Sequence, residues 1–185
     1  MNRQLCTEFL SKLLVKEKLS GIGNYYAREV TFDYGTDHSI RVDYIQFKPL
    51  NQISIDGLEK GEFICYEIKS CVEDFNSGNG LNFIGEKNYL VTDITTYINL
   101  VNKGQLNKFP LYVGVLVAVP KGSNAKDELE TPTQITENCD VSDWTLIYMK
   151  TAKKTYRRKS MIEMLFCMLR SHCNGLAFNL HLKGE

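Results

Sequence analysis

The stretch EFICYEIKSCVEDF, residues 62–75, decides both the predicted fold and the predicted site. Its first nine residues are rich in β-branched and aromatic side chains, which indicates a strand over 62–70. Because alternate side chains of a strand share a face, Cys65, Glu67 and Lys69 are predicted to point in one direction. A carboxylate and an ammonium group are unusual in a core, since buried charges are costly unless they are paired or bind a metal. This strand therefore predicts a functional site.

The preceding candidate strand contains RVDYIQF, residues 41–47. Arg41, Asp43 and Ile45 alternate along it in the same way. If this strand lies beside 62–70, the carboxylate of Asp43 comes next to that of Glu67. Two carboxylates and a nearby amine suit a hard divalent cation with a catalytic base attached.

Length and composition are typical of one domain spanning residues 1–185, because 43% hydrophobic residues are ample for a single core. The chain has 22 basic and 22 acidic residues, so its net charge of zero favours no class of partner. Six cysteines without a CxxC pair indicate reduced thiols in an intracellular protein. We find no signal peptide and no membrane span, and we expect a soluble, cytoplasmic protein with no membrane partner.

Hydrophobic periodicity predicts an α/β fold in which helices flank a mixed β-sheet. The nearly apolar segment 111–119 is expected to be a strand covered on both faces. The polar segment 121–143 is expected to be a flexible loop or insertion. Helices are predicted at 3–19, at 94–103 with Asp93 as its cap, and at 155–173 ended by Gly175, and strands at 24–33, 39–47, 62–70, 88–92, 111–119 and 144–149.

Asp43 on one strand, followed by Glu67-Ile68-Lys69 at the end of the next, resembles the PD-(D/E)xK nuclease superfamily. The run from Glu29 to the strand ending in AVP is similar to its MmcB-like branch, found in bacterial DNA-repair contexts and in phage proteins. The resemblance covers about residues 20–160, and Val42 replaces the proline of the motif's name. It implies a restriction-endonuclease-like αβββαβ core and Mg²⁺-dependent hydrolysis of a phosphodiester.

The resemblance also implies a role for each site residue. Asp43, Glu67 and the main-chain carbonyl of Ile68 would hold Mg²⁺, with Mn²⁺ as a substitute. Lys69 would orient or deprotonate the attacking water, and Glu29 would bind a water of the metal shell or a second ion. The alternatives are an exposed ion pair between Glu67 and Lys69 on an edge strand and, for Glu29, an ordinary solvated acid.

Basic residues are concentrated between 150 and 159. At the start of the predicted helix this charge opposes the macrodipole, which indicates a bound anion such as a nucleic-acid backbone. Lys87 and Asn88, soon after the catalytic strand, are expected to contact the scissile phosphate. The alternatives are a solubilising charged face and a glycine-rich loop with solvated charges. The predicted nucleic-acid-binding residues are Lys87, Asn88, Lys153, Lys154, Tyr156 (by base stacking), Arg157, Arg158 and Lys159.

Together these features predict a Mg²⁺-dependent nuclease acting on nucleic acid, on DNA rather than RNA, in repair, recombination or a phage life cycle. The competing hypothesis is a non-catalytic module that keeps the fold and binds nucleic acid or a protein. Homodimerisation would be compatible with cutting both strands of a duplex.

Overall fold

A computed structural model describes residues 2–78 and 80–181, with side chains described as far as residue 172. It shows an α/β fold with a six-stranded mixed sheet flanked by helices, as predicted. The strands are β1 (Tyr25–Phe32), β2 (Ile40–Lys48), β3 (Glu62–Ile68), β4 (Lys87–Asp93), β5 (Gly114–Pro120) and β6 (Trp144–Lys150). The helices are α1 (Arg3–Leu14), α2 (Ile55–Glu59), α3 (Val72–Asn76), α4 (Ile94–Asn102), α5 (Ala125–Glu130) and α6 (Met161–His181).

The strands lie side by side in the order in which they occur in the chain. β1, β2 and β3 form an antiparallel meander, β3, β4 and β5 run parallel, and β6 returns antiparallel to β5. Parallel neighbours need a crossover connection, and these crossovers contain α3 and α4. β3 is therefore the strand at which antiparallel pairing changes to parallel pairing.

Helix α1 covers one face of the sheet. The side chain of Asn2 caps it by accepting a hydrogen bond from the backbone N–H of Gln4, and a π-helical turn, Val15–Leu19, extends it. Together they fill the predicted helix 3–19. The buried residues of α1 pack against alternate residues of the strands, including Tyr66 on β3 and Val91 on β4.

The other face is covered by α4 and α6. Asp93 caps α4 as predicted, because its carboxylate accepts the backbone N–H of Thr96. Leu90 on β4 packs among the buried residues of α4, and Ile45 on β2 packs among those of α6. β5 contributes buried residues to the cores on both faces, which confirms the prediction for its apolar run.

The last helix differs from its prediction at both ends. Helix α6 begins at Met161, where Ser160 accepts a hydrogen bond from the backbone N–H of Glu163, so the predicted start at 155 is wrong. It also continues past Gly175 to His181, since one glycine inside a helix costs only about 1 kcal/mol. Neither this helix of 21 residues nor any other in the described part of the chain is long and apolar enough to cross a membrane.

The segment 121–143 contains local structure of its own. It includes α5 and a 3-10 turn at Val141–Asp143. The carboxylate of Glu128 is buried and accepts hydrogen bonds from the backbone N–H and the hydroxyl of Thr133. Ile135 is buried in the core beneath α1. This polar segment is therefore anchored to the domain, and its flexibility stays a prediction.

Candidate functional site

Asp43 and Glu67 are neighbours across the β2–β3 pair. The register places Tyr44 of β2 opposite Tyr66 of β3. Because the two strands are antiparallel, the next pair toward the carboxyl end of β3 is Asp43 opposite Glu67. Oδ2 of Asp43 accepts a hydrogen bond of 2.7 Å from the backbone N–H of Ile68. The two acids, distant in the sequence, therefore meet at the carboxyl end of β3 as expected.

A local irregularity of β1 and β2 accompanies Asp43. Arg28 of β1 pairs with Tyr44 of β2, and Val30 pairs with Val42. Glu29 and Asp43, which lie between these pairs, are not paired with each other. Glu29 has a backbone φ of 53°, in the left-handed region that residues with a side chain rarely adopt. Irregular strand geometry next to a site commonly redirects a side chain. Here it accompanies the Asp43 carboxylate that lies against the backbone of β3.

Glu67 is the most unusual side chain of the described chain. It is 0% exposed, and neither of its carboxylate oxygens has a hydrogen-bond partner. The backbone N–H of Asp43 faces this carboxylate and lowers its pKa without meeting hydrogen-bond geometry. Buried polar groups are almost always satisfied, so two orphaned oxygens on one carboxylate need an explanation.

The electrostatics of Glu67 follow from its burial. Desolvation and, after it, the charge of Asp43 raise the pKa of Glu67 to about 9, while the charge of Lys69 opposes the shift. Burial also raises the pKa of Asp43, although the Ile68 N–H and Lys69 counteract it. Without a metal ion beside it, the raised pKa favours the protonated form of Glu67 at neutral pH. A positive ion beside it would release that proton and satisfy both oxygens.

Lys69 lies immediately after β3 and is held from two sides. Its backbone N–H donates to Val91 and its carbonyl accepts the hydroxyl of Thr92, which fixes it to β4. The residue is 5% exposed, and its Nζ lies 3.9 Å from Oδ1 of Asp74. The same oxygen accepts a 2.7 Å hydrogen bond from Arg3. Lys69 is thus a buried cation whose position is fixed by the backbone and by Asp74.

Gly80 closes the site over Glu67 and Lys69. A β-carbon added at Gly80 would lie 3.0 Å from Oε2 of Glu67 and 3.6 Å from Nζ of Lys69. Both side chains therefore face the same glycine. The sequence analysis missed Gly80 and the contact of Asp74 with Lys69. The available signal was the position of Asp74 and the glycine-rich SGNG soon after the catalytic strand.

Glu29 lies at the rim rather than in the centre. Its Oε2 forms a 2.8 Å ion pair with Nε of Arg41, and about half of its side chain is exposed. Burial raises the pKa of Glu29, Arg41 lowers it, and the charge of Asp43 raises it. Glu29 is thus close enough to Asp43 to interact electrostatically while it is already paired.

The donor set fits a hard cation that keeps part of its water. Asp43 and Glu67 supply carboxylate oxygens, and those of Glu67 are unsatisfied. No group of three or more His, Cys, Asp or Glu side chains that could hold a metal occurs among the described residues. Mg²⁺ usually binds through only one or two protein carboxylates and retains several waters, so two acids suffice. The carbonyl of Ile68 stays a predicted ligand.

An open cleft of about 1400 Å³ leads to this site. One wall is α1, and the other is formed by β1 and the start of β2, with Asp43, Lys69 and Asp74 also lining it. The sequence analysis predicted a helix at 3–19 but placed no site residue on it, so it missed the cations of α1. The basic residues lining the cleft, within the described part of the chain, are Arg3, Lys12, Lys16, Arg28, Arg41 and Lys69.

The basic segment 150–159 does not lie at a helix start. Lys150 ends β6, and residues 151–160 form neither helix nor strand. The backbone N–H groups of Thr155 and Arg158 donate to the carbonyls of Glu86 and Ile84. The helix-dipole argument for a bound anion at this segment is therefore wrong. The misleading signal was the periodicity of apolar residues further along α6, which the sequence analysis extended too far toward the amino terminus.

Three of the six basic residues of this segment are already paired with acids. Lys154 bonds Glu62 at 2.7 Å, Arg157 bonds Glu86 at 2.8 Å, and Lys159 pairs with Asp33 and Glu163. Arg158 donates to the hydroxyl of Tyr112 and the carbonyl of Asn82. Lys153 and Tyr156 are exposed, Tyr156 at 93%. Nucleic-acid binding here stays a prediction, but ion pairing weakens the charge available to phosphates.

Asn88 is a structural residue, which corrects its predicted role. It is 0% exposed, and its side-chain amide both donates to and accepts from the backbone of Gly85. The register places Asn88 opposite Cys65 and Lys87 opposite Ile64, toward the start of β3. Lys87 also pairs with Glu62 at 3.0 Å. These two residues therefore do not lie at the sheet end that holds Asp43 and Glu67.

Comparison of the chain with models of protein families, with curated proteins and with solved structures gave no match. The functional argument therefore rests on the geometry of the site.

Proposed function

We propose that the protein is a divalent-metal-dependent nuclease of the PD-(D/E)xK type that hydrolyses DNA. The observation that carries the proposal is Glu67, a fully buried carboxylate with two unsatisfied oxygens beside Asp43 and Lys69. Such a carboxylate is costly in a fold that does not use it. Its position behind a cleft with basic walls supports a phosphate-containing substrate.

Each residue has a role that its surroundings support. Asp43 and Glu67 would hold Mg²⁺ or Mn²⁺, and the bound ion would supply positive charge to the attacked phosphate and a lowered pKa to its water. Lys69 orients the attacking water through its ammonium group, because Asp74 and the backbone bonds to β4 fix its position. Glu29 modulates the site through its electrostatic interaction with Asp43.

A second candidate is a binding module that does not cleave. The exposed cations lining the cleft are compatible with it, since phosphate contacts bind DNA without any cleavage. The buried lysine favours the enzyme, because a module that only binds DNA has no need for a cation held next to Glu67.

Cleavage of plasmid and linear DNA, measured with Mg²⁺, with Mn²⁺ and with EDTA, tests the proposal. We expect metal-dependent cleavage that Glu67→Gln and Asp43→Asn reduce by about 10²- to 10⁴-fold. Glu73→Gln, which changes an exposed acid on α3, is the matched control and should cleave normally. Metal-independent cleavage, or full activity of Glu67→Gln, would contradict the proposal, and DNA binding without any cleavage would support the binding module.

A further inference from the structure

The cleft has cations on both of its walls. Lys12 and Lys16 project from the α1 side, and Arg28 and Arg41 from the β1–β2 side. All four are exposed. Four acids, Glu8, Glu29, Asp43 and Asp74, also line the cleft, so its six basic residues exceed its acidic ones by two. The formal charge of the whole chain is zero, so the overall composition hides this local excess of positive charge.

Three of these cations are available to a ligand. Within the described range, Lys12, Lys16 and Arg28 have no carboxylate oxygen within the 4.0 Å of an ion pair, whereas Arg41 is paired with Glu29. The contrast with the segment 150–159 is direct, since Lys154, Arg157 and Lys159 are all engaged by acids. The sequence pattern therefore pointed to a denser cluster in which three of the six cations are already paired with acids.

The cleft offers little for reading bases. Its amide side chain, Asn82, donates to the carbonyl of Arg41, and its aromatic residue, Tyr44, is buried. Within the described lining, these are the only amide and aromatic groups. Sequence is read by polar contacts to base edges, whereas phosphate contacts position the backbone without sequence information. The amide and aromatic side chains of the lining are therefore not free to read bases, and its exposed lysines and arginines suit phosphate contacts.

We infer that a DNA backbone lies along this cleft, held between Lys12 on α1 and Lys16 on the π-helical turn after it, on one side, and Arg28 on β1, on the other, without regard to base sequence. The inference rests on the proposed function for its choice of DNA, and it deepens that function by assigning the substrate path and its lack of sequence selectivity. The path leads the backbone past Asp43 and Lys69, which line the same cleft.

DNA binding by the wild-type protein in EDTA, followed by fluorescence anisotropy over a range of salt concentrations, tests the inference without cleavage. We expect two duplexes of unrelated sequence to bind with equal affinity. In the triple variant Lys12→Ala, Lys16→Ala, Arg28→Ala, the slope of log K against log salt should become shallower by about 0.9 for each phosphate that the protein no longer neutralises. Circular dichroism confirms that the variant is folded.

Matched controls separate this surface from other basic ones. Lys103→Ala with Lys108→Ala removes two exposed lysines beside α4, on the other face of the sheet, and should leave the slope unchanged. An unchanged slope in the triple variant, or a large preference for one duplex sequence, would overturn the inference. Because DNA binding is measured in EDTA, its outcome does not depend on whether the protein cleaves DNA. The binding inference and the nuclease proposal can therefore fail separately.

Discussion

Gly80 lies directly over the carboxylate of Glu67, so that a β-carbon at this position would come within 3.0 Å of Oε2. Gly80 also has a φ of +72°, which a residue with a side chain adopts at a cost of about 1–2 kcal/mol. Gly78 has nearly the same φ, +70°, with nothing within 4 Å of an added β-carbon. Both glycines line the cleft and have the same backbone cost, but only at Gly80 would an added β-carbon meet Glu67 and Lys69.

We therefore expect Gly80→Ala to weaken Mn²⁺ binding, while Gly78→Ala lowers stability by about 1–2 kcal/mol and leaves Mn²⁺ affinity intact. Calorimetric titration measures the Mn²⁺ affinity, and chemical denaturation measures the stability. Equal Mn²⁺ affinities in the two variants would show that Gly80 does not border the metal position.

The stability of the metal-free protein should depend on the titration of Glu67. Its pKa is about 9 in the folded protein and ordinarily 4.5, so folding favours the protonated form. Binding of this proton contributes fully to the free energy of unfolding below about pH 4.5, and this contribution is lost as the pH rises through 9. In EDTA, the melting temperature of the wild type should therefore fall relative to Glu67→Gln between these values. A constant difference across that range would mean that Glu67 is not a titrating buried acid.

Added Mg²⁺ should reverse that pH effect. At about pH 8 the ion competes with the proton on Glu67, so we expect a rise in the melting temperature of the wild type. Glu67→Gln, which cannot become an anion, should show a smaller rise. Differential scanning fluorimetry with added Mg²⁺ and with EDTA measures the melting temperature of both proteins. An equal rise in the two melting temperatures would show that the ion does not bind at Glu67.

Lys69 is predicted to act on the chemical step rather than on metal binding. Lys69→Ala removes the ammonium group near Glu67 and should slow single-turnover cleavage by about 10²- to 10⁴-fold while Mn²⁺ still binds. Asp74→Asn should slow it less, because the backbone bonds of Lys69 to β4 remain. If cleavage by Asp74→Asn were slower than cleavage by Lys69→Ala, the chemical step would depend more on Asp74 than on Lys69, which would contradict this assignment.

Arg157 should contribute more to the stability of the protein than to DNA binding. It bonds Glu86, whose side chain is 12% exposed and also accepts the backbone N–H of Phe63. Arg157→Ala leaves that acid partly buried without its cation and should lower the free energy of unfolding by about 1–3 kcal/mol. Lys154→Ala, at an exposed pair, should change it little. Urea denaturation compares them, and equal effects would contradict this assignment.

Much of the fold was predictable because its signals are local. The cap at Asp93, the apolar run of β5 and the amphipathic pattern of α1 each depend on neighbouring residues, and each confirms its prediction. The start of α6 was not predictable from periodicity. Residues 151–160 are not helical, and their backbone N–H groups bond to the carbonyls of residues 84, 86 and 112, partners that are distant in the sequence.

The candidate site divides in the same way. Alternation along two strands predicted that Asp43 and Glu67 would meet, and the register places them side by side. Alternation carries no information about which charges are already paired, so the ion pairs of Lys154 and Arg157 were missed. Nor does it show that a cation on α1, such as Lys12, lies across a cleft from Arg28.

The central claim is that Asp43 and Glu67 share one divalent ion, and anomalous scattering from a crystal soaked in Mn²⁺ tests it most directly. The account predicts a Mn²⁺ peak within coordination distance of a carboxylate oxygen of each residue, and its loss in Glu67→Gln. A wild-type crystal with both carboxylates ordered and no peak between them, or a peak only elsewhere, would contradict it.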